Sequence, residues 1–210
     1  MTVEPKTLTI DLLSDTTFGS GEGTAGVVDV EVAHDEFGLP YLGGKALRGL
    51  LRDSWLSMQE HFPELHEAAR RLLGPTGDVS EVSVLRIGDA VIQEPARSYF
   101  VAAVQREHNP LAPERILTAF TDVRAQTSEE RVTGAPAETT LRSARVIVRG
   151  LRLTASLAWL DEPTEDDLRC LAMAALGTRH AGLSRNRGRG HIQIALDGDA
   201  EKTRDCLVPL

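Results

Sequence analysis

The sequence predicts an α+β fold in which strands and helices alternate around one inserted segment. Three observations carry it: alternating apolar stretches near the N-terminus, two amphipathic helices, and strand patterns bracketing the second helix. Taken in order, TLTIDLL at 7–13 sets Leu8, Ile10 and Leu12 on one face of a strand. A Gly-rich loop at 18–26 follows. Val28, Val30 and Val32 then alternate with Asp29, Glu31 and Ala33, which predicts a second strand.

A turn at 37–40 leads into a helix from Gly44 to His61, with Leu47, Leu50, Leu51, Trp55 and Met58 at helical spacing. A second helix is predicted over 64–73, stopped by Gly74-Pro75. IGDAVIQEP at 87–95 reads as a short strand ended by proline. Residues 97–145 show no clean period and carry a Pro-bounded tip at 109–113, the mark of a functional or mobile insertion. Residues 145–160 are strand-rich. The last helix has Thr164 as N-cap, three acidic residues in its first turn and Gly177 past its end. HIQIAL at 191–196 closes the set. Strand, helix, strand, insertion, strand, helix, strand is the order of a ferredoxin-like fold. Without internal repeats or low-complexity linkers, residues 1–210 read as one elaborated domain.

Composition excludes several function classes. Aromatic residues make up 4% of the chain, too few for a base-stacking platform. No apolar run approaches the roughly 20 residues needed to span a bilayer. The N-terminus has no basic segment followed by an apolar one, so a cytoplasmic location is expected. Cys170 and Cys206 make no disulfide framework, and no Cys/His spacing suggests zinc.

The net charge of −8 argues against a nucleic-acid partner until the positions are read. Acidic residues gather at 60–67, 161–167 and 197–205. Cations gather as Lys45, Arg48 and Arg52; as Arg142, Arg145, Arg149 and Arg152; and as Arg179, Arg185, Arg187 and Arg189. Such clustering is the footprint of a basic surface on an acidic protein.

The strongest local signal is GTRHAGLSRNRGRGH at 177–191, four arginines among glycines between a helix and a strand. Glycine lets backbone approach a ligand closely and arginine binds phosphate bidentately, so this loop reads as RNA- or phosphate-binding. Lys45, Arg48 and Arg52 form a basic stripe on the first helix, whose start after Gly43-Gly44 offers N–H groups to a phosphate. A solvated helix face explains the same stripe. Asp29 and Glu31 share a strand face and can hold a hard cation, although an edge strand's polar face looks the same. His34, His180 and His191 stand isolated in the sequence and read as surface or phosphate-contacting residues rather than general bases. Two nucleotide motifs fail. Gly21-x-Gly23-x-x-Gly26 precedes an alternating β pattern where a dinucleotide fingerprint needs a helix, and Gly44-Lys45 lacks the glycine and hydroxyl of a P-loop.

Three segments resemble one family in its own order. GEGTAGVVDVEVAHDEFGLPYLGGKALRGLLRDSW at 21–55 resembles the first half of RAMP proteins. TSEERVTGAPAETTLRSARVIVRGLRLTASL at 127–157 resembles their mid-chain segment, and LGTRHAGLSRNRGRGHIQI at 176–194 their C-terminal Gly-rich loop. Within that superfamily the chain is most similar to the backbone subunit of type III CRISPR effectors, the Cas-seven group, with wording that also resembles type III-D members. The resemblance implies an RRM/ferredoxin-type palm and a thumb hairpin, placed here at about 97–125. It implies several copies along one guide RNA (crRNA), with complementary target RNA and other effector subunits as partners.

Carried over by position, Asp29 matches the aspartate that cuts target RNA, and Asp35 a second acidic residue before the Leu-Pro turn. With them the resemblance implies Mg²⁺ or Mn²⁺. Arg48 and Arg52 match the helix cations on the guide backbone, and Gly182, Arg185, Arg187, Gly188 and Gly190 fall in the RNA loop. Leu42-Gly43-Gly44-Lys45-Ala46 departs from the family's usual Ile-Pro-Gly-Ser-Ser, Glu130 stands where aspartate is common, and Arg145 sits near a usually acidic position. Three other readings stay open: a non-cleaving scaffold subunit, a guide-processing endoribonuclease for which His34 is the N-terminal candidate, and a domain binding a phosphorylated metabolite.

Overall fold

The computed structural model describes residues 4–23, 28–74, 83–127 and 140–207. In chain order its elements are β1 (Thr7–Leu12), α1 (Gly44–Leu56), α2 (His66–Leu73), β2 (Leu85–Ile87), β3 (Val91–Ile92), α3 (Ala96–Val104) and α4 (Pro113–Phe120). They continue with β4 (Thr121–Gln126), β5 (Arg142–Ile147), β6 (Arg152–Trp159), α5 (Glu165–Gly177), β7 (Ile192–Leu196) and α6 (Ala200–Asp205).

The fold is α+β with antiparallel sheets. β1 is the hub, flanked by β6 on one side and β7 on the other. β2 and β3 both pair with β6, so the main sheet runs β2-β6-β1-β7 with β3 also on β6. The alternation legible in β1 sets this sheet's two faces. Leu8 and Ile10 lie opposite Ala155 and Leu153, and opposite Leu196 and Ile194, all buried. Leu47, Leu51 and Trp55 of α1 and Leu171 and Ala175 of α5 complete the same core. A leucine buried in it stabilises by about 1.5–3 kcal/mol relative to exposure. On the other face Thr7, Thr9 and Asp11 oppose Ser156, Thr154 and Arg152, with no aromatic side chain among these paired residues.

α5 starts as its sequence predicts. The Thr164 hydroxyl accepts from Asp167 N–H while the Asp167 carboxylate accepts from Thr164 N–H, a capping box. Gly177 is the helix's last residue rather than the one beyond it, and a Cβ there would strike Ser54 Oγ of α1. α1 ends earlier than expected, at Leu56, with a separate 3-10 turn at Gln59–His61 before Pro63. The strand expected over 87–95 is broken into β2 and β3. α6, opened by an Asp199 N-cap, has no counterpart among the expected elements.

Two expectations fail for identifiable reasons. The segment 28–34 is no ladder strand, because it changes partner every two or three residues. Arg145 N–H donates to Val30 C=O, Glu31 N–H to Glu22 C=O and Ala33 N–H to Phe18 C=O, leaving only isolated bridges. The thumb hairpin expected at 97–125 is instead the helix pair α3–α4, followed by β4. The prolines that read as a hairpin tip bound a helix connection, and Pro113 opens α4 at a position suited to it. The hairpin that does exist is β4–β5, paired from Thr121↔Ile147 to Gln126↔Arg142. Its connecting residues, 128–139, and with them Glu130 and Arg131-Val132-Thr133-Gly134, lie outside the described residues, as does Gly26.

Candidate nucleic-acid interface

Between α5 and β7 the chain makes a loop whose two legs are zipped together. Ala181 N–H donates to Gly190 C=O at 2.8 Å and Ile192 N–H to Arg179 C=O at 3.0 Å. The loop is also pinned to the segment after β1: Leu183 N–H reaches Thr17 C=O, Gly190 N–H reaches Asp15 C=O, and His191 N–H reaches Ser14 Oγ. Gly182 (φ +81°) and Gly190 (φ +72°) make these approaches possible, since a Cβ would strike Thr17 C=O and Ala181 C=O respectively. These two glycines therefore serve the loop's own closure. Gly188 (φ +71°) faces open space.

A single 3-10 turn, Arg185–Arg187, forms the tip. Arg179, Arg185 and Arg187 are exposed and Arg189 is half-buried, its Nη1 carrying no hydrogen bond. Among the described residues none of these four arginines has a carboxylate partner. Their mutual repulsion is borne by a rigid, hydrogen-bonded loop, which leaves the charge available to a polyanion.

The tip stands between two clefts. One, of about 590 Å³, lies against the hairpin and is lined by Gln126, Thr127, Arg142, Ser184, Asn186 and Arg187 together with Arg185. The other, of about 610 Å³, lies against α1 and is lined by Asp53, Ser54, Arg179, His180 and His191, again with Arg185. Sequence reasoning placed Arg142 in a basic group with Arg145, Arg149 and Arg152 rather than beside this loop, and it missed the meeting of His180 and His191. The two histidines face each other across the loop legs, their rings stacked with centroids 5.4 Å apart. Their eleven-residue separation carries no periodic signal by itself; only the loop's closure brings them together.

The N-terminal candidates divide. Lys45 is exposed and lines a third cleft of about 560 Å³ with His34, Tyr41, Glu31 and Gly43. The helix start beside it already has an anion, because Asp89 Oδ1 accepts from Gly44 N–H at 2.7 Å. Arg48 faces inward: its guanidinium donates to Leu72 C=O at 3.0 Å and to Leu73 C=O, satisfying the C-terminal end of α2. Burial and the neighbouring Arg52 pull its pKa below the ordinary arginine value. Arg52 stays half-exposed on the same helix.

Asp29, Glu31 and Asp35 do not form one carboxylate cluster. Asp29 is exposed and its Oδ2 accepts from Ser143 N–H at 2.7 Å and from Ser143 Oγ, which ties it to the foot of β5. Glu31 is buried against Arg145, with 2.7 Å between Oε1 and Nε, and Arg145 reaches on to Thr121 Oγ1. Asp35 folds Oδ1 onto Phe37 and Leu39 N–H in its own turn, while Arg97 Nη2 lies 2.8 Å from Oδ2 as an ion pair without hydrogen-bond alignment. Among the described residues no three metal-ligating side chains come together. A divalent cation is thus a poor fit to Asp35, whose oxygens are engaged. It fits Asp29, where Oδ1 carries no hydrogen bond among the described residues, because Mg²⁺ commonly takes one carboxylate and completes its shell with substrate phosphate and water. His34, which would serve acid–base chemistry, has Nδ1 3.0 Å from Asp35 C=O.

A family model described as the RAMP superfamily matches residues 9–193, from the hub strand through the Gly-rich loop to β7. The chain belongs to the RAMP superfamily. No curated protein matches it. Among solved structures, this RAMP chain is similar to one in "Type III-B Cmr-beta Cryo-EM structure of the Apo state", with a TM-score of 0.67 at 12% identity over 93% of this chain and 98% of that one. It is also similar to a chain in "Cryo-EM structure of the Type III-B Cmr-beta bound to cognate target RNA", with a TM-score of 0.65 at 11% identity over 97% and 99%. At such identities the likeness is one of fold, and it extends over nearly the whole RAMP domain. Among the described residues no helix is long and apolar enough to cross a membrane.

Proposed function

We propose that this RAMP chain is a backbone subunit of a type III CRISPR effector, binding guide RNA and, through it, complementary target RNA. The observation that carries the reading is the loop at 177–191, whose four arginines lack carboxylate partners among the described residues and whose tip divides two clefts. Its structural likeness to a chain of a Cmr-beta complex bound to cognate target RNA supports the same partners. In this reading the main sheet, with β1 between β6 and β7, serves as the palm and the β4–β5 hairpin as the thumb. Other effector subunits and neighbouring copies of this chain complete the particle.

The cleaving residue in this reading is Asp29. Ser143, which pairs with Ala125 at the end of the hairpin away from the Thr121–Ile147 pair, fixes its Oδ2, so the carboxylate stands beside the proposed thumb. A bound Mg²⁺ or Mn²⁺ would neutralise charge on a scissile phosphate. Asp29 would hold that ion through Oδ1, and the hairpin would splay the target strand so that its own 2′-hydroxyl attacks in line. Products then carry a 2′,3′-cyclic phosphate and a 5′-hydroxyl.

The Asp29–Ser143 contact also favours a second reading, a scaffold in which Asp29 only secures the hairpin. Co-purifying the chain with its neighbouring subunits and adding complementary RNA separates them. Regularly spaced, metal-dependent cuts that vanish in Asp29→Ala while guide RNA stays bound support cleavage. Bound guide without cuts supports the scaffold, and an absence of bound RNA removes both.

A further inference from the structure

The stacked histidines lie in the cleft between the Gly-rich loop and α1, beside two arginines without carboxylate partners among the described residues, and nothing in the proposed cleavage chemistry uses them. His180 is exposed and His191 half-buried; their rings are nearly parallel, 25° apart, at 5.4 Å between centroids. Backbone bonds hold the pair in place: Ile192 N–H on Arg179 C=O, Ala181 N–H on Gly190 C=O, and His191 N–H on Ser14 Oγ. The charged groups lining the cleft are Arg179 and Arg185 from the loop and Asp53 from α1; Ser54 and Thr178 add hydroxyls. Asp15, next to Ser14 on the third packed segment, is engaged by Arg124 at 2.9 Å.

The balance of charge in this cleft is positive before either imidazole titrates. Two facing imidazoliums would repel each other, and Arg179 and Arg185 would add to that repulsion. A phosphate reverses that balance. It brings negative charge to a cleft that two arginines and both rings line, and an imidazole that gains a proton becomes a second donor to it.

The geometry points to a phosphate-binding subsite, made by His180, His191, Arg179 and Arg185, whose grip on an RNA phosphodiester takes up a proton. This rests on the RNA-binding reading for its ligand and adds a regulation to it. The sign follows from linkage. An imidazole more readily protonated in the complex than in the free protein makes binding tighter as pH falls and weaker as pH rises. One proton taken up limits the effect to about tenfold in affinity per pH unit, and about fivefold is expected between pH 7.5 and pH 6.0.

Binding of a fluorescent single-stranded RNA to the full chain, measured by anisotropy at fixed ionic strength from pH 8 to pH 6, tests the idea. Wild type should tighten about fivefold toward low pH, and His180→Gln with His191→Gln should lose that slope. His180→Gln alone, at an exposed ring, serves should the double variant fail to fold. A flat wild-type profile, or an unchanged slope in the folded variants, overturns the subsite.

Inorganic phosphate titrated in parallel, with the imidazole resonances followed by NMR, separates free phosphate from RNA. Shifts confined to His180 and His191 support the subsite even where RNA fails to bind at every pH, a result that would instead sink the RNA-binding reading. Phosphate that leaves both rings unmoved, with RNA affinity flat in pH, removes the proposal while leaving RNA binding intact.

Discussion

Two groups of arginines look alike in the sequence and behave differently in the fold. In and beside the hairpin, Arg145 is buried against Glu31, Arg152 sits on Asp11 at 2.6 Å, and Arg124 sits on Asp15 at 2.9 Å. In the loop, Arg179, Arg185, Arg187 and Arg189 have no such partner among the described residues. The first group is neutralised where it stands and holds strands together. The second is kept apart from the protein's many carboxylates by a closed loop, and its charge is left for a ligand. A count of basic residues does not separate the two groups; the carboxylate partners found among the described residues do.

The largest effect should come from the buried pair. Arg145→Ala removes the guanidinium from the buried Glu31 carboxylate and is expected to cost about 3–5 kcal/mol of stability, read from denaturant unfolding. Replacing both partners with similarly sized apolar residues should cost much less, which separates the pair's geometry from its charge.

Next come the loop cations. Arg185→Ala and Arg187→Ala are each expected to weaken RNA binding about tenfold, to lower the slope of log affinity against log salt by about 1, and to leave unfolding unchanged. Equal losses from Arg152→Ala would erase the distinction between the two groups. Arg48→Ala should cost about 1 kcal/mol of stability by uncapping α2, with RNA affinity retained. A large loss of RNA binding there would return Arg48 to the interface. The smallest effect belongs to Arg152→Ala, a half-exposed pair with Asp11, at about 0.2–1 kcal/mol and fading in salt.

A further measurement bears on the cysteines. Burial, with Asp167 and Asp166 nearby, pushes the Cys170 thiol up to about 12, so at pH 8 it should resist alkylation in the folded protein. Reaction there at the rate of a free thiol would mean that α5 opens readily from the core.

The sequence by itself determined the parts whose cause is local. The alternation of Leu8, Ile10 and Leu12 settles β1, the Thr164 and Asp167 pair settles the start of α5, and apolar spacing settles the buried face of α1, because period and capping are properties of neighbouring residues. The ordered motifs settled the superfamily. The Gly/Arg loop was legible as basic and glycine-rich before any coordinates.

Tertiary structure decided everything that depends on a distant partner. Val28, Val30 and Val32 alternate like a strand, yet their neighbours are Gly-rich loops and the foot of β5, so no ladder forms. Asp29, Glu31 and Asp35 read as one acidic group, and are parted because Ser143, Arg145 and Arg97 reach them from three different elements. Arg48 reads as a phosphate contact and is turned inward by carbonyls 24 and 25 residues away. His180 and His191 read as isolated and meet because the loop closes. Charge and hydrogen bonding are settled pairwise in space, and the identity of the partner is what a linear pattern does not carry.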